Sequence, residues 1–227
     1  MTSIRVVSTL AVMGAMREIA ARYEAETGIA IQADFAPTVA LLDRLRGGES
    51  ADIAILTAQG IDDLIGEGVL RAGTRTDVAL SFVGIAVKAG APKPDIGSVA
   101  AFKATLLAAR SVAYSKIGAS GILFAQLIER LGIASEINAK ATIIPQGFTA
   151  ARLMTGEADL AVQQISELKQ VAGIEVIGPI PHELQTPAVF SAGRMAASGK
   201  AAASDRLLRF LASREVAPVL RESGLEP

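Results

Sequence analysis

The chain has 227 residues, 51% of them hydrophobic, and a formal net charge of −1 with acids and bases interspersed. That length holds one large domain or two small lobes with real cores, and the even charge gives no sign of a basic face for nucleic acid. With no cysteine and a single histidine, His182, disulfides, thiolate chemistry and cysteine metal sites are excluded, a zinc site is disfavoured, and neither metal nor cofactor is expected.

Strand and helix patterns alternate from the start. Residues 4–8 are an apolar run of strand length, after which Val12, Met16, Ile19, Ala20 and Tyr23 recur at helical spacing, closed by Gly28. Residues 29–35 alternate like a strand, Leu41, Leu42 and Leu45 mark a short helix, residues 52–56 read as a buried strand, and Ile61, Leu64 and Ile65 lie on the next helix. This order predicts a mostly parallel sheet covered on both faces. A continuous apolar run follows at 79–87, then the Gly- and Pro-rich stretch GAPKPDIGS.

A second series then begins. Helices are expected at 99–109, 120–131 and 149–155, and strands at 111–114, 141–144, 159–162 and 175–177. The stretch GPIPHELQTP makes a second crossing, residues 188–196 return as a strand, and helices at 201–212 and 215–223 finish the chain. Two crossings predict two lobes, residues 1–85 with 188–227 and residues 86–187, joined by a hinge near 83–87 and 186–190. No apolar run reaches the ~18 residues of a membrane span. No basic, apolar and small-residue leader opens the chain; as given it is expected in the cytoplasm, or in the periplasm if a leader has been removed.

Four strand-to-helix junctions carry hydroxyls or exposed amides. VVSTLAVMGAM offers Ser8 and Thr9, and DFAPTVALLDRL offers Thr38. AYSKIGASGILFAQL offers Ser115 and Ser120, and IPQGFTAARLM offers Gly147 and Thr149. Each residue alone reads equally as a plain N-cap for its own helix. Together they place donors at the C-terminal strand ends, where open α/β sheets bind ligands, beside helix N-termini that favour anions. Gln163 and Gln164 end a strand on the same side.

The stretches VVSTLAVMGAMREIAARYEAETG, FAPTVALLDRLRGGESADIAIL, GASGILFAQLIERLGI and FTAARLMTGEADLAV resemble the molybdate-binding branch of the type II periplasmic solute-binding proteins, over nearly the whole chain. The resemblance implies a two-lobed α/β fold, with mixed, mostly parallel sheets flanked by helices, closing on one small anion. It implies that Ser8, Thr9 and Thr38 hold the anion from one lobe. Donors near Ser120, Phe148 and Thr149 would hold it from the other, with Gln164 where the family often has a closing tyrosine and Gln163 beside it. Tyr114 and Lys116 flank the middle junction, and a carboxylate fits such an amide-rich, lysine-flanked site as well as molybdate does.

Three functions follow as expectations. The first is an anion-binding protein of the ABC-transporter type, a monomer that would partner a permease if exported and that neither binds nucleic acid nor inserts in a membrane. The second is an isomerase of the aconitate type, which the resemblance permits, with Tyr114 and Lys116 as acid–base candidates. The third is an anion sensor. A Ser-His-Asp triad is disfavoured, because His182 lies in the Pro-rich crossing. GRMAASGKA departs from a phosphate loop in spacing and lacks its Ser or Thr.

Overall fold

The computed structural model describes residues 3–227. It divides into two compact units, one running to Ser81 and resuming at Ala188–Pro227, the other Phe82–Pro187.

The first unit holds strands β1 (Ser3–Thr9), β2 (Ala30–Ala36), β3 (Ile53–Thr57) and β4 (Thr76–Ser81), with helices α1 (Met13–Thr27), α2 (Thr38–Arg46) and α3 (Ala58–Gly66). Three residues of 3-10 helix, Leu10–Val12, separate β1 from α1. The last strand of the chain and two helices, Ala201–Leu211 and Ala217–Glu222, complete the unit. The sheet order is β2-β1-β3, then the returning strand Ala188–Arg194, then β4. β1 runs parallel to β2 and β3, and the returning strand is antiparallel to both its neighbours. Because Ser8 pairs with Phe35 and Thr9 with Ala36, the first two strand-to-helix junctions leave the sheet level with one another.

The core of this unit follows the apolar periodicity. Leu41 and Leu45 of α2 and Ile61 and Leu64 of α3 pack against Val7, Ala54 and Leu56 of the sheet. Each such aliphatic side chain contributes ~1.5–3 kcal/mol on burial. Asp52, only 6% exposed, sits just before β3. Burial pushes its carboxyl up, but the Arg5 N–H, the Lys200 ammonium and the Ser198 hydroxyl outweigh it and hold it below the usual range.

The second unit opens with β5 (Val83–Lys88) and continues through α4 (Val99–Ala108), β6 (Val112–Ser115), α5 (Ala119–Arg130), α6 (Ala134–Ala139), β7 (Ala141–Ile144), α7 (Ala151–Met154), β8 (Leu160–Gln164), α8 (Ile165–Leu168) and β9 (Ile174–Pro179). The remaining elements of the first unit are therefore β10 (Ala188–Arg194), α9 (Ala201–Leu211) and α10 (Ala217–Glu222). The second sheet has the order β7-β6-β8-β5-β9, with β6 parallel to β7 and β8, and β5 antiparallel to β8 and β9. Both sheets thus repeat one plan: three parallel strands, one antiparallel strand entered straight from a crossing, and one edge strand.

The apolar run at 79–87 is not one strand. It breaks at Phe82, and Val83 pairs with Gln164 in the second sheet, so the first crossing falls at Ser81/Phe82 rather than at residue 85. β4 also begins at Thr76, in polar sequence that lacks the apolar signal. Gln185 secures the second crossing: its side chain accepts the Val83 N–H at 2.9 Å and donates to the carbonyls of Val83 and Ile180 at 3.0 and 2.9 Å. Among the described residues no helix is long and apolar enough to cross a membrane.

Candidate functional site

In the first unit, β1 ends on Ser8 and Thr9, which are 0% and 3% exposed. The Ser8 hydroxyl donates to the Thr9 carbonyl at 3.2 Å, and Thr9 makes no side-chain cap for the turn that follows. Thr38 lies inside the first turn of α2, not before it, and the cap position is held by Pro37, which has no side-chain donor or acceptor. The Thr38 hydroxyl is buried without a hydrogen-bond partner among the described residues. The first N–H groups of α2 have no intrahelical acceptor, and the first backbone bond of the helix is Leu41 N–H to the Pro37 carbonyl at 3.0 Å.

The contrast with ordinary caps is direct. Thr57 accepts the Gly60 N–H and stabilises α3, and Ser98 accepts the Ala101 N–H and stabilises α4. Thr9 and Thr38 stand at the same kind of junction and cap nothing. A buried hydroxyl left unpaired costs ~1–3 kcal/mol, a cost that a ligand accepting its hydrogen bond would remove. The sequence reading missed Ser81, at the end of β4, whose hydroxyl is also buried and unpartnered. A lone serine closing a mostly apolar run carries no sequence signal.

In the second unit, Ser115 ends β6 and accepts the Ile117 N–H at 3.4 Å. Ser120 is in the first turn of α5, 3% exposed, and the N-cap Gly118 has no side chain to close the turn. The next residue must be glycine. A Cβ on Gly121 would stand 1.3 Å from the Ser115 carbonyl oxygen, so the start of α5 is pressed against the end of β6.

The fourth junction differs from its prediction. α7 is a single turn, Ala151–Met154, and Thr149 lies outside it. Both Thr149 donors are already engaged: its N–H and its hydroxyl reach Gln163 Oε1 at 2.8 and 3.1 Å. Gln163 Nε2 in turn donates to the Gly147 carbonyl at 3.0 Å. Gln163 and Thr149 therefore fix the loop that carries half-buried Phe148, and in this structure they offer a ligand little. Gln164, beside it, is 2% exposed and holds the cap position of α8, its side chain facing the Glu167 N–H.

Tyr114 and Lys116 do not form the acid–base pair expected of them. Tyr114 is fully buried in the apolar core of its unit, edge-on to Phe124 at 5.0 Å, and its hydroxyl donates to Asn138 Oδ1 at 2.6 Å. Burial pushes its phenol pKa up. Strand alternation explains the placement, since Ala113 faces the opposite, small-residue core. Lys116 is exposed and borders, with Tyr114, Gln126 and Glu129, a recess of about 450 Å³ that includes neither Ser115 nor Ser120.

One titratable group was not singled out from the sequence. Glu167 of α8 is 6% exposed, and its Oε2 accepts the Gln164 N–H at 3.2 Å. Burial raises its pKa to about 8, against the smaller opposing effects of the Gln164 N–H and the Gln163 side chain. Gln164-Ile165-Ser166-Glu167 closes as a capping box, the Gln164 side chain facing the Glu167 N–H and the Glu167 carboxylate accepting the Gln164 N–H. A glutamine at the cap position hides that signal.

Residues 4–226 match the family described as bacterial extracellular solute-binding protein. The chain belongs to that family. Among its solved relatives in fold, the solute-binding protein superposes on the periplasmic molybdate-binding protein of Azotobacter vinelandii with a TM-score of 0.84, at 17% identity and covering 99% of each chain. The sulfate-binding protein SubI of Mycobacterium tuberculosis gives 0.82 at 16% identity, over 100% of this chain and 87% of that one. In sequence, a curated protein named aconitate isomerase, from a Pseudomonas species, is 38% identical over 232 residues, spanning 100% of this chain and 88% of that protein. The two α/β units share the fold of these periplasmic molybdate- and sulfate-binding proteins.

Proposed function

We propose that this solute-binding protein takes one small anion, a di- or tricarboxylate rather than a metal oxyanion, through uncharged N–H and O–H donors at its strand-to-helix junctions. The observation that carries the reading is that Thr9 and Thr38 stand at helix starts without capping them, while Thr57 and Ser98 do cap theirs. Hydrogen bonds to a charged group contribute ~1.5–3 kcal/mol each, so four or so offset desolvation and leave roughly micromolar binding. Calorimetric titration with molybdate, tungstate, sulfate, phosphate, citrate and both aconitate isomers tests it. Heat with the carboxylates supports the reading. A folded protein that binds none of them rejects it.

A second reading is favoured by the full-length relative named aconitate isomerase. Here the bound tricarboxylate undergoes a proton shift that exchanges its methylene and methine carbons. Ultraviolet absorbance of trans-aconitate incubated with the protein tests it, and an unchanged spectrum at high protein concentration removes it. Binding without turnover would return the chain to transport, with an ABC permease as partner.

A further inference from the structure

We propose that Glu167 is the group that carries the proton in this reaction, taking it from one carbon of an unsaturated polycarboxylate and returning it to another. This rests on the isomerase reading above and assigns its chemistry to a residue of α8 in place of Tyr114 and Lys116.

Placement comes first. β6, β7 and β8 are parallel, so their C-terminal ends share one edge of the second sheet. Val112 pairs with Leu160 and Ala113 with Ala161; continued, that register sets Ser115 level with Gln163. Glu167 follows on the first turn beyond β8, tied back to it through the Gln164 N–H. It is therefore on the edge that carries the junction donors, whereas the Tyr114 hydroxyl is committed to Asn138.

Its surroundings do not look like those of a purely structural carboxylate. The groups that hydrogen-bond it, the Gln164 N–H and the Gln163 side chain, are uncharged. One neighbour, Ser166 Oγ, is buried without a partner among the described residues, its residue 2% exposed. A cap needs no titratable group, because glutamine serves the same position in a capping box. An unpaired buried hydroxyl and an acid at one strand end instead describe a place where a polar ligand completes the hydrogen bonding. Burial to this degree does not set Glu167 apart, since Ser8, Thr38 and Ser120 are equally enclosed.

The step balances without a co-reactant. A methylene C–H bond breaks and its electron pair enters the adjoining C=C system, stabilised by the attached carboxylate. The Glu167 carboxylate takes the proton. Its O–H bond then breaks, the proton joins the far carbon of the three-carbon unit, and the double bond re-forms one place along. With a pKa of about 8, roughly one molecule in ten is ionised at pH 7, close to the optimum for a group that must both take and give a proton.

The test compares the full-length wild type with Glu167→Gln and Glu167→Asp, using trans-aconitate. Glu167→Gln is expected to lower kcat by about 100-fold or more, with Kd for the tricarboxylate by calorimetry within about threefold of wild type. Glu167→Asp is expected to retain measurable turnover. The wild-type rate should rise with pH through an inflection near 8 that Glu167→Gln lacks, and only wild type and Glu167→Asp should exchange the methylene protons in deuterium oxide. A structural cap would leave that inflection in place. Turnover by Glu167→Gln at the wild-type rate with the inflection intact overturns the inference alone; binding without turnover by the wild type overturns it together with the isomerase reading. If Glu167→Gln fails to fold, an unmoved inflection in Glu167→Asp overturns the inference.

Discussion

Asp52 of the first unit and Glu167 of the second each keep only 6% of their surface exposed, and they shift in opposite directions. Both lose hydration. Asp52 regains it from the Arg5 N–H at 2.8 Å, the Ser198 hydroxyl at 2.8 Å and the Lys200 ammonium at 3.0 Å, a set that includes a cation. Glu167 has amide partners alone. Loss of hydration is the leading effect on both and is heavier on Glu167; the partners overcome it at Asp52 and do not at Glu167. Asp52 is thereby an ionised brace joining β1 to the start of α9, while Glu167 is a carboxyl whose proton the fold retains.

The largest expected effect tests whether the second unit is as tightly set at its junctions as this comparison requires. Gly121→Ala forces a methyl group into the Ser115 carbonyl, and a loss of more than ~4 kcal/mol, or failure to fold, is expected in urea melts. The matched change in the first unit, Gly60→Ala, places its Cβ 3.3 Å from Thr57 Oγ1 and should move stability by no more than ~1 kcal/mol.

Next comes the acid itself. Its proton is held up to about pH 8 when folded, against an ordinary value of 4.5. Unfolding therefore releases a proton between those values, and wild-type stability should fall as pH rises across that window. Glu167→Gln removes the slope, so its unfolding free energy in urea melts should exceed the wild type's by a margin that grows from pH 5 to pH 8, reaching a few kcal/mol at ~1.4 kcal/mol per unit. Parallel curves would contradict the placement of the proton.

Asp52 should show the reverse dependence. Its stabilisation is complete above its ordinary value of 3.8 and is lost as pH falls through the lowered folded one. Asp52→Asn is expected to lose ~2 kcal/mol at neutral pH, discounted because Lys200 is half exposed, and to lose little against wild type near pH 2. A smaller effect on stability distinguishes Thr38. Thr38→Val removes an unpaired buried hydroxyl and should leave the fold within ~1 kcal/mol of wild type, while weakening carboxylate binding about tenfold or more.

Much of this plan was legible from residue order. The alternation of apolar runs and helical spacings marked both α/β series, and Ser8 and Thr9 stand at the end of β1 as their spacing predicts, while Thr38 lies one step further on, inside α2. Four features were not legible, each for a physical reason. The break at Phe82 depends on which sheet accepts each half of an apolar run. The short helices α6 and α8 have too few residues to show a period. The engagement of Thr149 by Gln163 is a contact across 14 positions, and the protonation of Glu167 depends on the absence of a cation that only three-dimensional packing reveals.

The measurement that bears most directly on the account is calorimetric titration of trans-aconitate into the folded chain, with molybdate as comparison. Saturable binding of one tricarboxylate per chain with roughly micromolar Kd, weakened in Thr38→Val, is the predicted result. Absence of heat with the tricarboxylate, or binding that Thr38→Val leaves untouched, would contradict it.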